Sequence, residues 1–241
     1  MLQLDASVPF DDPRFPPAFY RTAAVCSWLS AITTCLLIFL PEWYAPADSF
    51  EARMARVQDP AYVLRSWVYL VHPFLVVTAA LGVALRLRRV AAAWVLPGLL
   101  AFLLWGGTEA AQQALTKAAF DVWRLAYLAG DPAVRATMEL RTALYDDLWD
   151  AMYVLLLLGF MIANALYARA TFKIPGFTRL LSVFYLLAAL LTLTLLLPEF
   201  GGLGLPEPLN SWAYPAIQPL GRALIGLWLW RSVRPPLNAG P

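Results

Sequence analysis

Six apolar runs dominate this chain, at 18–40, 66–87, 90–112, 149–168, 178–197 and 213–231. Each reaches the ~20 residues a helix needs to cross ~30 Å of hydrocarbon. Hydrocarbon offers no water to satisfy a backbone N–H or C=O, so segments this long and apolar must bond internally, as helices. The balance of residues agrees. Of 241 residues, 61% are apolar or aromatic and 14% are charged, where a soluble domain carries about a quarter charged. A net charge of +2 with no basic block leaves no electrostatic footprint for nucleic acid, and the apolar content excludes a disordered chain.

The charges set an orientation. With the N-terminus inside, the inner segments carry Arg14, Arg21, Arg86, Arg88, Arg89, Arg169, Lys173, Arg179, Arg231 and Arg234, against three aspartates in the tail. The outer segments carry seven bases and twelve acids. Bases favour the cytoplasmic side, most clearly in short connections such as 86–90 and 169–179. We therefore expect an all-α, polytopic membrane helix bundle of six transmembrane helices, N-in and C-in, in a bacterial inner (plasma) membrane. Residues 18–234 form one domain between cytoplasmic disordered tails at 1–17 and 235–241. The first tail is acidic and proline-rich, without the basic start and apolar stretch of a secretory signal. Aromatic belts fit the same topology, with Trp43, Tyr44, Trp67, Trp149 and Trp212 at outer ends and Trp94, Phe172, Trp228 and Trp230 at inner ends.

Spans three and four are expected to continue outward as a helical hairpin over about 113–148. Good helix formers follow Glu109 until Gly130, a C′ glycine, after which Asp131 caps and Pro132 opens the next helix. Phe120, Trp123, Tyr127, Val134, Met138 and Leu144 would hold the arms together or meet a partner. Ser49 and Asp59-Pro60 supply the same capping signals in the first outer loop, while 198–211 is rich in Gly and Pro and reads as an irregular cover.

An ionisable group within a span costs about 2.5–3.5 kcal/mol and calls for a reason. Four spans carry polar stripes at helical spacing. These are Arg65, Tyr69 and His72 on span two, and Glu109, Gln112, Gln113 and Thr116 on span three. Asp146, Asp150 and Tyr153 follow on span four, with Asn164 deeper, and Gln218 and Arg222 on span six. Their depths are similar: His72 falls ~7 Å below Trp67, and Arg222 ~10 Å below Pro215. The expected outcome is an outward-facing polar cavity floored by a Glu109–Arg222 pair, with His72 as a wall and Asp146 and Asp150 at the rim. The plainer alternative is ordinary hydrogen bonding between helices, at about 0.6 kcal/mol per contact.

Such a cavity suits a small polar or zwitterionic ligand or a lipid headgroup, whether for binding or transport, through His72, Tyr69, Glu109, Gln112, Gln113, Asp146, Asp150, Tyr153, Gln218 and Arg222. A different class is a membrane-embedded hydrolase or transferase acting on a lipid-linked substrate, with Glu109 or Asp150 as acid–base and His72 as partner. A third is an accessory subunit, or a homodimer, docking through the outer hairpin. The non-enzymatic reading ranks first. No P-loop, GxGxxG, HExxH, CxxC or GxSxG motif is present. Cys26 and Cys35 lie nine residues apart, on opposite faces of one helix, and cannot pair with each other. One histidine makes neither a bis-histidine haem nor a multi-histidine metal cage, so no cofactor and no metal site are expected.

Overall fold

A computed structural model describes residues 15–204 and 206–231, apart from the side chains of 207–211. Most of the two expected tails therefore lies outside the described residues. The regular structure described is all helical. Four stretches are long and apolar enough to cross a membrane: Pro17–Trp43, Pro60–Ala129, Pro132–Phe172 and Phe177–Phe200. The main helices are α1 (Pro17–Phe39), a short α2 (Phe50–Ala55), α3 (Pro60–Leu115), α4 (Asp121–Ala129), α5 (Pro132–Phe172), α6 (Phe177–Leu196) and α7 (Glu207–Arg231). Cys26 and Cys35 are free thiols.

α3 is two helices in one. Ala91 has non-helical φ −145° and ψ 30°, and the chain reverses there. Along a straight helix His72 and Trp105 would stand about 50 Å apart, yet their rings meet at 6.2 Å. Tyr62 Oη likewise donates to Asp121 Oδ1 at 3.1 Å across the same fold. The reversal falls beside the arginine cluster at 86–89.

Small residues let the helices close on one another. A Cβ on Gly82 would stand 2.6 Å from the Ala23 side chain, and one on Gly98 would stand 2.6 Å from the Tyr167 ring. Close packing over Gly, Ala and Ser is how helices associate where lipid is as apolar as the core. α1 packs on α3 and α7, α3 on α5, α5 on α6, and α6 back on α7, which closes a ring. Tyr167 is fully buried in it and donates its hydroxyl to the Ala80 carbonyl at 3.0 Å.

The outer arms follow the capping chemistry. Asp131 Oδ1 accepts from the N–H groups of Ala133 and Val134, both at 3.0 Å, with Pro132 opening α5. Ser49 caps α2 through the Ala52 N–H at 3.1 Å, and Asp59 caps α3 through the Ala61 N–H at 2.8 Å. Two expectations are corrected. Gly130 is extended (φ −88°, ψ 158°), not left-handed. It is needed for space instead, since a Cβ there would meet Val134 Cγ1 at 2.5 Å and the Ala126 carbonyl at 2.8 Å. Trp228 is no interfacial belt residue, because it is buried with its indole N–H donating to Thr178 Oγ1 at 2.9 Å. Trp43, Trp67, Trp94, Phe172 and Trp212 are exposed.

A second apolar cluster (Met54, Phe120, Tyr127, Met138 and Tyr145) joins α2 to the arms, with Trp123 packed against it. Phe120 and Tyr145 stack at 4.0 Å. Val134 and Leu144 stay exposed.

Two expected outcomes follow from this packing. Gly98→Val should lower stability by about 1–3 kcal/mol, because a buried, hydrogen-bonded ring blocks the new side chain. Gly107→Ala should be neutral, since nothing lies within 4 Å of a Cβ there. Thermal unfolding in detergent followed by circular dichroism separates the two; equal midpoints would contradict the packing described. The second concerns acid. The Ala45 N–H holds the Asp59 carboxyl below its ordinary range, against a smaller opposing effect of desolvation, with help from the Tyr62 and Ala61 N–H groups and the charge of Arg56. A carboxyl depressed by folding stabilises fully above its unfolded pKa of about 4, and that stability is lost as pH falls through the folded value. Asp59→Asn should therefore flatten the fall of melting temperature between pH 6 and 3 relative to the parent chain.

Candidate functional site

The helical ring encloses a cavity of about 720 Å³ that runs from Tyr44, Arg53 and Asp146 at the loop end to His72, Trp105 and Arg222 within the bundle. α1 contributes Thr34 and Leu37, both halves of the α3 hairpin face it, and α5, α6 and α7 complete the wall. Nine of the ten residues expected at a site line this one cavity: Tyr69, His72, Glu109, Gln112, Gln113, Asp146, Tyr153, Gln218 and Arg222. Asp150 does not. It is exposed, because the lining face of α5 runs through Tyr145, Trp149, Tyr153, Leu156 and Phe160. One residue beyond Trp149, Asp150 is turned about 100° away. Asn164 lies deeper and lines a second, smaller cavity that shares Phe160, Gln218 and Arg222 with the first; its amide donates to the Phe160 carbonyl at 2.8 Å.

At the floor, Glu109 is 5% exposed. The expected ion pair with Arg222 is not formed: no hydrogen bond or contact within 4.0 Å joins the two among the described residues. The reason lies in how α7 is held. Ser27 Oγ donates to the Arg222 carbonyl at 2.6 Å and Trp28 Nε1 to the Ala223 carbonyl at 3.2 Å, which draws that turn against α1. Gly226 leaves the room that the Trp28 ring fills. Arg222 Nε and Gln218 Nε2 have no hydrogen-bond partner among the described residues. His72 is 3% exposed, with Nδ1 2.7 Å from Thr33 Oγ1.

The middle and mouth are built more tightly. Gln112 Nε2 donates to the Trp149 carbonyl at 3.2 Å, and Thr116 Oγ1 sits 2.7 Å from Tyr145 Oη. Arg65 donates to the Leu37 carbonyl at 3.1 Å and to Tyr69 Oη at 3.2 Å. Arg53, from α2, grips Asp146 with two parallel bonds of 2.9 and 2.5 Å.

Arg53, Tyr62, Arg124, Tyr145 and Tyr214 also line the cavity, and the spacing of charges within spans does not reveal them. Arg124 arrives there through a π-helical turn, Thr116–Phe120, that interrupts the α-geometry of the arm. In unbroken α-geometry Arg124 would lie about 60° off the line of Glu109. The wider turn takes up one extra residue and swings Arg124 to about 40° on the other side, within the width of the lining face, and such turns recur at functional sites.

Comparison with protein-family models, curated proteins and solved structures returns no match. The site's own chemistry therefore carries the functional argument: a carboxyl and a guanidinium at the floor held apart, hydrogen-bond donors without acceptors among the described residues, and aromatic walls.

The Arg53–Asp146 pair is more than a third exposed on both sides, so its contribution is that of a surface pair. A double-mutant cycle with Arg53→Ala and Asp146→Asn in thermal unfolding should give a coupling of about 0.2–1 kcal/mol. A coupling several times larger would mean the mouth is closed to water.

Proposed function

We propose that the chain is an integral membrane protein whose cavity binds a small zwitterionic ligand, with Glu109 facing its cation and Arg222 its anion. The observation that carries this is the separation of those two groups within a cavity large enough for a small molecule. A buried structural ion pair stabilises only with close geometry and satisfied hydrogen bonds. Here the carboxyl and guanidinium stand apart, and Arg222 Nε and Gln218 Nε2 lack acceptors. Two opposite charges held apart at one level suit a ligand that carries both.

In this proposal the bundle crosses the membrane six times: α1, the two halves of the α3 hairpin, α5, α6 and α7. Both termini are cytoplasmic, the cavity opens to the outside, and the membrane is a bacterial inner membrane. Supporting it are the excess of bases in the short connections at 86–90 and 169–179 and the acid-rich outer loops. Transport of the ligand is compatible with this arrangement. A docking role through the aromatic residues of the arms is less well supported, because Phe120 and Tyr127 are buried within the chain itself.

The test uses betaine, a small zwitterion, with the full chain in zwitterionic-lipid nanodiscs. At a hundredfold excess over its dissociation constant, a ligand specific for the folded state adds about 2.7 kcal/mol of stability. The expected result is a concentration-dependent rise in melting temperature that Glu109→Gln and Arg222→Leu both abolish, while their ligand-free melting temperatures stay near the parent's. If either variant unfolds without ligand, the two charges are structural and this function fails.

A further inference from the structure

The mouth of the cavity differs from its floor in one respect: its charges do not balance. Arg53, Lys117 and Arg124 gather around Tyr62 and Phe120, with Arg65 beside Tyr44 and Tyr69, and among the described residues the carboxylates paired with them are Asp121 and Asp146. Asp146 is fully engaged by Arg53. Asp121 is divided among Lys117 at 2.7 Å, Tyr62 Oη at 3.1 Å and Arg124 at 3.6 Å. Arg65 bonds a carbonyl and a hydroxyl and meets no carboxylate among the described residues. Two positive charges are left over, and counting Arg56 with its neighbour Asp59 leaves that excess unchanged.

The donors are as unbalanced as the charges. Arg124 is 5% exposed, and its Nε and Nη1 have no hydrogen-bond partner among the described residues. Its guanidinium is clamped 4.1 Å from the Phe120 ring centroid and 4.9 Å from that of Tyr62, so stacking holds it beside a loose ion pair with Asp121 at 3.6 Å. Tyr44 Oη, also on the cavity wall, is buried and unpartnered. The Tyr44 and Tyr62 rings pack edge to face at 6.0 Å, with Arg65 6.0 Å from the Tyr44 centroid. Arg65, Arg124 and Tyr44 thus converge on one aromatic pair from three different segments. Leaving buried donors unmade is expensive, most of all on a charged group.

We propose that the mouth is a phosphate-binding subsite, distinct from the floor, in which Arg124, Arg65 and the Tyr44 hydroxyl hold a phosphoryl group. A phosphate has more acceptor oxygens than a carboxylate and up to two negative charges, which matches an excess of two cations and donors from three sides; the guanidinium fork suits its geometry. The phosphate belongs either to a soluble phosphate ester or to the headgroup of an anionic lipid.

The experiment measures binding to the full chain in phosphatidylcholine nanodiscs by quenching of tryptophan fluorescence, since Trp105 and Trp149 line the cavity. One arm adds glycerol 3-phosphate; the other incorporates phosphatidic acid at increasing mole fraction. Saturable binding in the first arm identifies a soluble ester, and binding confined to the second identifies a lipid headgroup. In the arm that binds, Arg124→Gln is expected to weaken affinity at least tenfold and Tyr44→Phe severalfold, with weaker binding at raised salt. Arg169→Gln, which removes a cation stacked on Trp94 outside the cavity, should leave it unchanged. Should Arg124→Gln fail to fold, Arg65→Gln takes its place with the same expectation. No binding in either arm, or binding that these variants do not weaken, overturns the subsite. Betaine stabilisation sensitive to Glu109→Gln would survive that result, so failure of the mouth and failure of the floor are distinguishable.

Discussion

A helix in hydrocarbon can satisfy its own backbone but not a charged or amide side chain, and the architecture of this chain follows from that constraint. Leu100 is 67% exposed and Phe74 64%, while Gln112, a few turns along the same hairpin, is 1% exposed. The outside of the bundle is apolar and the inside carries the polar groups, the reverse of a soluble domain. Each polar stripe turned away from lipid must face another helix. With Gly, Ala and Ser lining the α1–α3–α7 contacts, the backbones approach closely enough to close the ring on the stripes.

The reversal at Ala91 brings this about. Folding α3 back on itself sets Arg65, Tyr69 and His72 opposite Glu109, Gln112 and Thr116, so two stripes far apart along the chain share one cavity. α5 lays a third face beside them. The Ser27 and Trp28 bonds to carbonyls of α7 then fix where Arg222 can reach. Those two bonds hold the backbone of Arg222, not its guanidinium. The head is left facing the cavity with an unpartnered Nε, while a shift of α7 toward α3 would have shortened its distance to Glu109.

The parts of this arrangement that could be read in the residues are those with a fixed period. Glu109, Gln112, Gln113 and Thr116 share a face because α-geometry puts them there, and Asp131-Pro132 and Asp59-Pro60 open helices because of what those side chains can bond. The failures are equally specific. Asp150 satisfied the four-residue spacing from Asp146, but a shared helix face is wide, and it fell on the edge turned to solvent. Trp228 looked interfacial because it ends a span, yet Thr178 offered its indole a buried acceptor. Arg53 and Arg124 could not be found at all. One lies on a separate short helix and reaches a carboxylate 93 positions away. The other lies beyond a π-helical turn in a segment without Gly or Pro to betray it.

The cavity has two electrostatic characters on either side of that turn. Below Thr116 the α-register presents Glu109 and the two glutamines, and the one nearby guanidinium, Arg222, is matched in number by one carboxyl. Above it Arg124 joins Arg65 on the lining, and among the described residues the one carboxylate paired with Arg124, that of Asp121, is shared with Lys117 and Tyr62. Stacking on Phe120 and Tyr62 supplies what fixes Arg124 in the absence of a full ionic partner. An arginine fixed by aromatic faces keeps the edge of its guanidinium available, whereas one fixed by a bidentate carboxylate, as Arg53 is by Asp146, has that edge already occupied. The contrast between these two arginines at the same mouth separates a group that builds the wall from one placed to meet what enters.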